Sequence, residues 1–345
     1  MPRKIICFSP ENLKEIITAL GLPVFRSNQI LEWVYKKNIL SWDKMTNLSV
    51  DLRNVLCEKY YACSIELAEK AGSKRDSSEK FLFKTIDGKF IESVLIVSGK
   101  RRTLCLSTQI GCKYKCAFCA SGAEGFERDL HTAEIVDQVR CVQHYTNERI
   151  TNIVYMGMGE PLDNYKNTLD SLKIINAGWG FEIGARHLTI SSAGLVPAIE
   201  KFSKEGFEQV RLSVSLHAVT QEKRLKIMPI AQKYSLKQLL AVLQKVSDIF
   251  KQPITLEYTI LKGFNNSIDD ADTLAKIAGR IGAKVNLIGY NVVDCADFEL
   301  PAKNDMDRFK VLLEKRNIPV FVRYSAGDEI SAACGQLRLK RSGKE

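Results

Sequence analysis

Between about residue 103 and residue 323, short hydrophobic strand patterns alternate with amphipathic helical patterns. This alternation is typical of βα units, in which each helix returns the chain so that successive strands run parallel. The pattern by itself allows either an open parallel sheet or a barrel. The predicted strands are 103–108, 151–156, 186–190, 210–216, 254–260, 284–290 and 319–323, and the predicted helices include 132–146, 235–250, 268–281 and 305–316.

The residues before this region predict a separate N-terminal part. Up to about residue 70, apolar residues recur at helical spacing, which indicates a small helical domain. A polar stretch at 72–78 is expected to end it, and Asp87 with Gly88 then joins two strands as a β-hairpin. The predicted divisions are a helical accessory domain at 1–71, a hairpin extension at 79–100, an α/β core at 101–325 and a C-terminal segment at 326–345.

The composition excludes several classes of protein. A chain of 345 residues with 45% hydrophobic and 26% charged residues can bury a large core and is not a disordered tail. It has no apolar run of the roughly 18 residues that a membrane span needs. The N-terminal residues do not resemble a signal peptide, so a cytoplasmic protein without membrane contact is expected. The 50 Lys and Arg against 40 Asp and Glu give a net charge of +10, which favours nucleic acid as a partner.

The cysteines carry the strongest local signal. Ten are present, and a disulfide framework is not expected in a chain of this size without secretion. Cys112, Cys116 and Cys119 lie within eight residues. Structural zinc sites usually have four protein ligands, whereas three cysteines fit an iron–sulfur cluster with one iron open to a small molecule. The spacing of these cysteines, Cys-x3-Cys-x2-Cys, resembles the signature of radical S-adenosylmethionine (SAM) enzymes.

Five other cysteines are interpreted as isolated, small buried residues: Cys7, Cys57, Cys63, Cys141 and Cys295.

Polar residues follow several of the predicted strands. Gly159 and Glu160 come just after strand 151–156, Ser191 follows strand 186–190, and Ser215 and His217 lie at the end of strand 210–216. Because the carboxyl ends of parallel strands meet at one edge of a sheet, these residues are expected to line one ligand-binding mouth.

Taken together, these motifs closely resemble the RlmN-type dual-specificity RNA methyltransferases of the radical SAM superfamily. The resemblance implies an α/β fold with a partial (β/α)6 barrel, and one [4Fe-4S] cluster held by Cys112, Cys116 and Cys119. It also implies two SAM per turnover and an electron donor such as flavodoxin with flavodoxin reductase. The implied reaction is methylation of C2 of a specific adenosine in 23S rRNA and of the adenosine 3′ of the anticodon in tRNAs. The matching stretches are 21–35, 45–48, 105–112, 157–162, 215–217, 285–288 and 332–337.

The resemblance assigns roles to residues that their own sequence surroundings leave unremarkable. It implies that Cys334 takes a methyl group from one SAM and that Cys105 resolves an RNA–protein adduct by forming a disulfide with Cys334. Glu92 matches the base that takes the C2 proton. The implied SAM contacts are Gly159, Glu160, Ser191, Ser215, Leu216, His217 and Asn291. The expected RNA-contacting surface is the N-terminal domain together with the Lys/Arg excess that includes Arg338, Lys340, Arg341 and Lys344.

Two alternatives remain open at this point. The related enzyme that methylates C8 of adenosine and confers antibiotic resistance shares the cluster motif and both extra cysteines, although Pro161 and the Phe25-Arg26 context resemble the C2 enzymes more. A non-catalytic RNA-binding protein with a structural metal explains the charge but not Cys334. The chain departs from the family pattern around Asn291, at Asp129 and in the stretch 191–194, which affects loop geometry and leaves the reactive groups in place.

Overall fold

The computed structural model describes residues 3–123, 125–293, 298–323, 328–333 and 335–337. Cys295, Cys334 and the basic residues Arg338, Lys340, Arg341 and Lys344 lie outside the described residues. Within these ranges no helix is long and apolar enough to cross a bilayer.

The N-terminal part is helical, as predicted, up to residue 59. Ser9 caps the first helix by accepting a hydrogen bond from the Asn12 N–H at 3.1 Å, and Pro10 opens it. The helices are α1 (Pro10–Ala19), α2 (Phe25–Leu31) and α3 (Val50–Lys59), with a π-helical turn at Glu32–Lys36 and a 3-10 turn at Trp42–Lys44.

The expectation of helix up to about residue 70 is wrong. Residues Ile65–Gly72 form strand β1, which pairs antiparallel with strand β2 (Ser78–Thr85). The segment contains good helix formers such as Glu66, Leu67 and Ala68, so its local propensity favours a helix. Pairing with β2 overrides that preference, because the neighbouring strand supplies the backbone hydrogen bonds. The extension before the core is therefore three-stranded, whereas a two-stranded hairpin was predicted.

Ten strands of the described residues form one sheet, in the order β1-β2-β3-β4-β7-β8-β9-β10-β11-β12. The first four run antiparallel, and from β4 onward all neighbours are parallel. Strands β5 and β6 form a separate small pair. The remaining strands are β3 (Phe90–Ser98), β4 (Arg101–Cys105), β5 (Gln109–Gly111), β6 (Phe126–Asp129), β7 (Asn152–Tyr155), β8 (Leu188–Ser192), β9 (Arg211–Ser215), β10 (Thr255–Ile260), β11 (Lys284–Gly289) and β12 (Val320–Arg323).

Six of the parallel strands, β4 and β7 to β11, are each followed by at least one helix, and β12 completes the row. The predicted partial (β/α)6 barrel is confirmed, and the predicted strands and helices coincide with the observed ones apart from a few residues at their ends. The helices are α4 (Ala120–Ala123), α5 (Thr132–Thr146), α6 (Tyr165–Asn176), α7 (Val196–Phe202), α8 (Gln221–Ile227), α9 (Ile230–Lys233), α10 (Leu236–Val246), α11 (Ile268–Ile281) and α12 (Lys303–Glu314), with 3-10 turns at Ala185–His187 and Asp328–Ile330.

A buried ion pair on α5 joins the N-terminal part to the barrel. The Arg140 side chain is fully buried and lies 2.5 Å from the Asp137 carboxylate. Its guanidinium also donates hydrogen bonds to three backbone carbonyls of the N-terminal part, those of Val34, Ile39 and Ala62, at 2.7–3.1 Å. One side chain of the barrel therefore satisfies the carbonyl groups of three residues of the N-terminal part, one in the π-helical turn and two outside the helices.

Candidate active site

The loop that carries the three clustered cysteines starts directly after β5 and closes on itself. The Cys112 N–H donates to the Gly125 carbonyl at 2.8 Å, which brings the two ends of the loop together. Gly111 lies in the left-handed region with φ of 73°, and a Cβ there would lie 1.9 Å from the Gly125 oxygen. Only glycine therefore permits this closure.

Two other parts of the fold hold the cysteine loop in place. The Ala117 N–H donates to the Ile227 carbonyl at the end of α8, at 2.9 Å. On the other side, the Ala120 N–H donates to the Gly335 carbonyl at 2.7 Å, and the Ser121 hydroxyl donates to the Leu337 carbonyl at 2.7 Å. Residues 335–337 thus lie against the cysteine loop, although about 220 residues separate them from it in sequence.

A cleft of about 950 Å³ opens at the carboxyl ends of the parallel strands. All three clustered cysteines line it, together with most of the predicted SAM contacts, namely Gly159, Glu160, Ser191, Ser215, His217 and Asn291. We call it the SAM cleft, after the predicted contacts that line it. Leu216 is the exception, because its side chain is fully buried in the hydrophobic core, whereas its neighbours Ser215 and His217 line the cleft. The sequence therefore predicted which residues come together, and their individual roles stay predictions.

Glu160 is a buried carboxylate in the wall of the SAM cleft. Its Oε2 accepts a hydrogen bond from the Ala193 N–H at 2.6 Å and its Oε1 accepts one from the Leu162 N–H at 3.1 Å. The side-chain oxygen of Gln109 accepts a hydrogen bond from the Glu160 N–H at 2.9 Å, which fixes the backbone at Glu160. Burial raises the pKa of Glu160 to about 7, although the backbone donors partly oppose this. A cationic group entering the cleft would find a fixed, poorly solvated acceptor there.

His217 is neutral and rigidly held. Its Nδ1 accepts a hydrogen bond from the Thr259 N–H at 2.9 Å, so the ring proton lies on Nε2. Burial, followed by the nearby charge of Arg224, lowers the pKa of His217 to about 3. Phe118 of the cysteine loop packs edge-on against the ring with centroids 4.6 Å apart. The imidazole therefore offers the SAM cleft an uncharged donor in a fixed orientation.

A second cavity of about 600 Å³ adjoins the SAM cleft, and Cys105 lies in its wall. Cys334 lies outside the described residues, but its neighbours Ala333 and Gly335 both line this cavity. We call it the Cys105 cavity. It shares a wall with the SAM cleft, formed by Cys119, Met156, Gly157, Ile288, Asn291 and Gly335.

Glu92 lies on the strand next to Cys105. Val94 pairs with Cys105 across β3 and β4 and lines the Cys105 cavity, and Glu92 shares its face of β3 two residues earlier. The Glu92 side chain is 5% exposed and lies 3.1 Å from the ammonium group of Lys80 on β2. A buried carboxylate near this cavity is thus held by a charged partner.

Comparisons with known proteins agree with this arrangement. A family model described as the radical SAM superfamily matches residues 106–275, and one described as the ribosomal RNA large subunit methyltransferase N-terminal domain matches residues 4–62. The chain is 42% identical to a probable dual-specificity RNA methyltransferase RlmN of Akkermansia muciniphila, over 96% of this chain and 94% of that protein. A relative of the same name from Fervidobacterium nodosum is also 42% identical, over 99% and 98% of the two chains. The chain belongs to the RlmN family.

A solved structure supports the same conclusion. The crystal structure of a radical SAM methyltransferase from Sphaerobacter thermophilus is 36% identical and has a TM-score of 0.94, covering 98% of this chain and all of that one. This RlmN-family protein is therefore a SAM-dependent radical SAM RNA methyltransferase.

The cysteine loop fits the [4Fe-4S] cluster that membership of the superfamily implies. Burial raises the pKa of Cys112 to about 12 and that of Cys116 well above its ordinary value, so these thiols need a cationic partner to act as thiolates. All three cysteines line one cleft, which suits a cluster because each cysteine binds a different iron of it.

Two residues near the cleft have no counterpart among the sequence predictions. Arg224 of α8 is fully buried, and its Nη2 donates to the Ala193 carbonyl at 2.7 Å while Nε and Nη1 find no hydrogen-bond partner in the described residues. Burial lowers its pKa to about 10, and the neighbouring Cys116 opposes this. Its charge therefore faces the cysteine loop.

Glu257 lines the cleft and accepts a hydrogen bond from Asn286 at 2.6 Å. The sequence could have indicated Glu257 as a functional residue, because it is the one charged residue in strand β10. Arg224 lies in a helix with several other charged residues, so nothing in the sequence marks it out.

Proposed function

We propose that this enzyme methylates C2 of adenosine in 23S rRNA and in tRNAs, using Cys334 as the carrier of the methyl group. The observation that carries the proposal is the wall common to the SAM cleft and the Cys105 cavity. C2 of adenine is electron-poor and does not attack the methyl group of SAM directly. A cavity beside the SAM cleft that is lined by Cys105 and by both sequence neighbours of Cys334 suits a two-stage transfer, in which the methyl group is first bound to the sulfur of Cys334.

The chain's own residues have distinct tasks in this reaction. The thiolate of Cys334 attacks the methyl carbon of one SAM, so that a carbon–sulfur bond forms at Cys334, the bond from that carbon to the sulfonium breaks, and S-adenosylhomocysteine leaves. When bound by the three loop cysteines, the cluster supplies the electron that makes SAM a radical source. Glu92 accepts the C2 proton of the adduct. The thiolate of Cys105 then attacks the sulfur of Cys334, the bond from that sulfur to the methylene carbon breaks, and the carbon keeps the electron pair and takes a proton, which leaves a disulfide and the methylated base. Buried Glu92 and Cys105 share one face of adjacent strands, which suits successive action on one adduct.

RNA and an electron donor are the partners that this function requires. The N-terminal domain presents Phe25 with its side chain 53% exposed, and the guanidinium of Arg26 lies 4.8 Å from the centre of the ring. An exposed aromatic ring beside an arginine suits stacking against an unpaired base and contact with its phosphate. We assign RNA binding to this domain and to the Lys/Arg excess, including the basic C-terminal residues, and electron supply to a flavodoxin-type donor.

The decisive experiment measures the product. The cluster-loaded enzyme is incubated anaerobically with SAM, a reductant and either a 23S rRNA fragment or tRNA, and digested nucleosides are compared by mass spectrometry with 2-methyl- and 8-methyladenosine standards. We expect 2-methyladenosine from the wild type and from the control Cys57→Ala, and none from Cys334→Ala. Formation of 8-methyladenosine would instead establish the C8 reaction. Cleavage of SAM without methylation would show that the substrate is wrong.

Removing Cys105 is expected to trap the intermediate. Without this thiol the disulfide that releases the base cannot form, so Cys105→Ala should accumulate a covalent protein–RNA adduct that survives denaturing electrophoresis. We expect less than about one turnover per enzyme, because each molecule stops at the adduct. The double variant Cys105→Ala/Cys334→Ala is the control and should form no adduct. Multiple turnovers by Cys105→Ala would contradict the assigned role.

SAM binding should depend on pH through Glu160. The carboxyl of Glu160 has a pKa of about 7, raised by burial, and its ionised form is the one that attracts the amino group of SAM. As the pH falls below 7, a proton competes for this site, so the Kd for SAM should rise by up to about tenfold per pH unit. Calorimetric titration of the cluster-loaded enzyme between pH 8 and 5.5 measures this. Glu160→Gln should bind weakly with a flat profile, and an unchanged slope in that variant would assign the titration elsewhere.

A further inference from the structure

Two cysteines that are far apart in sequence meet at the junction between the N-terminal part and the barrel. The sulfur atoms of Cys63 and Cys141 lie 3.5 Å apart, although 78 positions separate the residues. Cys63 lies between α3 and β1, and Cys141 lies on α5 of the barrel. From the sequence both were expected to be small buried residues, which holds for Cys141, whereas Cys63 is half-buried and the contact between them was not expected. A disulfide requires about 2.0 Å between the sulfurs, so the two atoms have to approach each other by about 1.5 Å.

The backbone around Cys63 is tied to the same face of α5. The Ala62 carbonyl on one side accepts a hydrogen bond from Arg140 at 2.8 Å. On the other side, the N–H and the hydroxyl of Ser64 both donate to the Asp137 carboxylate at 2.6 Å. These contacts, one residue before and one residue after Cys63, keep its side chain against Cys141. The sulfur contact is thus a consequence of the fixed junction.

The two thiols differ in accessibility. Cys141 is fully buried, whereas Cys63 is half-buried and lines a surface cavity of about 790 Å³ that also includes Tyr61 and Cys57. A small oxidant that enters this cavity reaches the sulfur of Cys63 first, and Cys141 is the neighbour that can complete the reaction. The pair therefore has the geometry of an attacking thiol with a resolving thiol behind it.

We propose that Cys63 and Cys141 form a reversible disulfide, an oxidation site separate from the cluster and from the proposed Cys105–Cys334 pair. A two-electron oxidant of the peroxide or diazene class accepts one hydrogen from each thiol, and one sulfur–sulfur bond forms. Peroxide leaves as two molecules of water, and a diazene leaves as the hydrazine. The bond joins the end of the helical domain covalently to α5. This inference does not rest on the proposed RNA substrate.

The test uses the cluster-loaded, full-length enzyme under anaerobic conditions. The protein is treated with the diazene diamide, remaining thiols are alkylated, and the digest is analysed by mass spectrometry without reduction. We expect a linked peptide pair containing Cys63 and Cys141, lighter than the sum of the two thiol peptides by two hydrogens, which disappears on addition of dithiothreitol. The midpoint of thermal unfolding should rise by roughly 5 °C on oxidation, because the bond restricts the unfolded chain.

Matched variants separate this pair from the other cysteines. Cys57→Ser leaves both sulfurs in place and should still form the link, although Cys57 lines the same cavity. Cys63→Ser should abolish both the link and the rise in melting temperature. Because Cys63 is half-buried, we expect this substitution to have little effect on the stability of the reduced protein. Circular dichroism of the reduced variants verifies the fold. The proposal would be overturned if Cys63 and Cys141 were both recovered in alkylated form after a treatment that oxidises other thiols. A link between Cys57 and Cys63 in place of the expected one would also overturn it.

Discussion

Cys116→Ala is expected to lose the bound iron and all measurable methylation. One iron of the cluster would lose its protein ligand, and the remaining two cysteines are half-buried on a loop that offers no other thiol among the described residues. Iron analysis and the visible absorbance of the reconstituted protein measure the loss directly, and nucleoside mass spectrometry measures turnover. Both should fall below detection.

The fold should survive this substitution, because alanine fills a similar volume to cysteine and the loop is held by backbone hydrogen bonds to Ile227 and Gly335. The comparison variant is Cys57→Ala, a half-buried cysteine in the N-terminal helix α3. It should retain the iron content and activity of the wild type. Full iron occupancy and turnover in Cys116→Ala would show that the cluster has other ligands.

Arg140→Met should destabilise the protein by about 3–5 kcal/mol. The substitution leaves the Asp137 carboxylate buried without its cation, and it removes the donor from the carbonyls of Val34, Ile39 and Ala62. Denaturant unfolding followed by circular dichroism gives the change in unfolding free energy. Because three of the lost contacts reach the N-terminal part, limited proteolysis should release a fragment of about 60 residues more readily than in the wild type.

The matched control for this prediction is Arg149→Met. Arg149 lies just beyond α5 and is exposed, so its replacement should change the unfolding free energy by less than about 0.5 kcal/mol. The double variant Asp137→Asn/Arg140→Met should be more stable than Arg140→Met, since it removes the uncompensated charge. If Arg140→Met and Arg149→Met were equally stable, the buried ion pair would not be what holds the two parts together.

Much of the barrel was predictable because its elements are encoded by local periodicity. Helix 132–146 is observed as α5 with the same bounds, and the seven parallel strands lie where alternating helices required them. The strand-end residues Glu160, Ser191 and His217 were expected to share one mouth, because parallel strands place their carboxyl ends together. They line one cleft. The spacing of Cys112, Cys116 and Cys119 pointed to the cluster for a similarly local reason.

Other features depend on contacts that no local pattern reports. Strand β1 has helix-forming residues and is a strand only because β2 lies beside it. Glu92 shows only the alternation of an ordinary strand, yet it is buried against Lys80. Arg224 stands in a polar helical segment and ends up fully buried behind the cysteine loop.

The sequence by itself determined the order of the β/α units, the cluster motif and the set of residues at the strand ends, since periodicity and spacing act over neighbouring positions. Only the tertiary structure decided that Arg140 anchors the N-terminal part and that Cys63 meets Cys141. It also decided that residues 335–337 lie against the cysteine loop. These contacts join residues from about 80 to more than 200 positions apart, and their partners are selected by the packing of complete elements, which a single stretch of sequence does not specify.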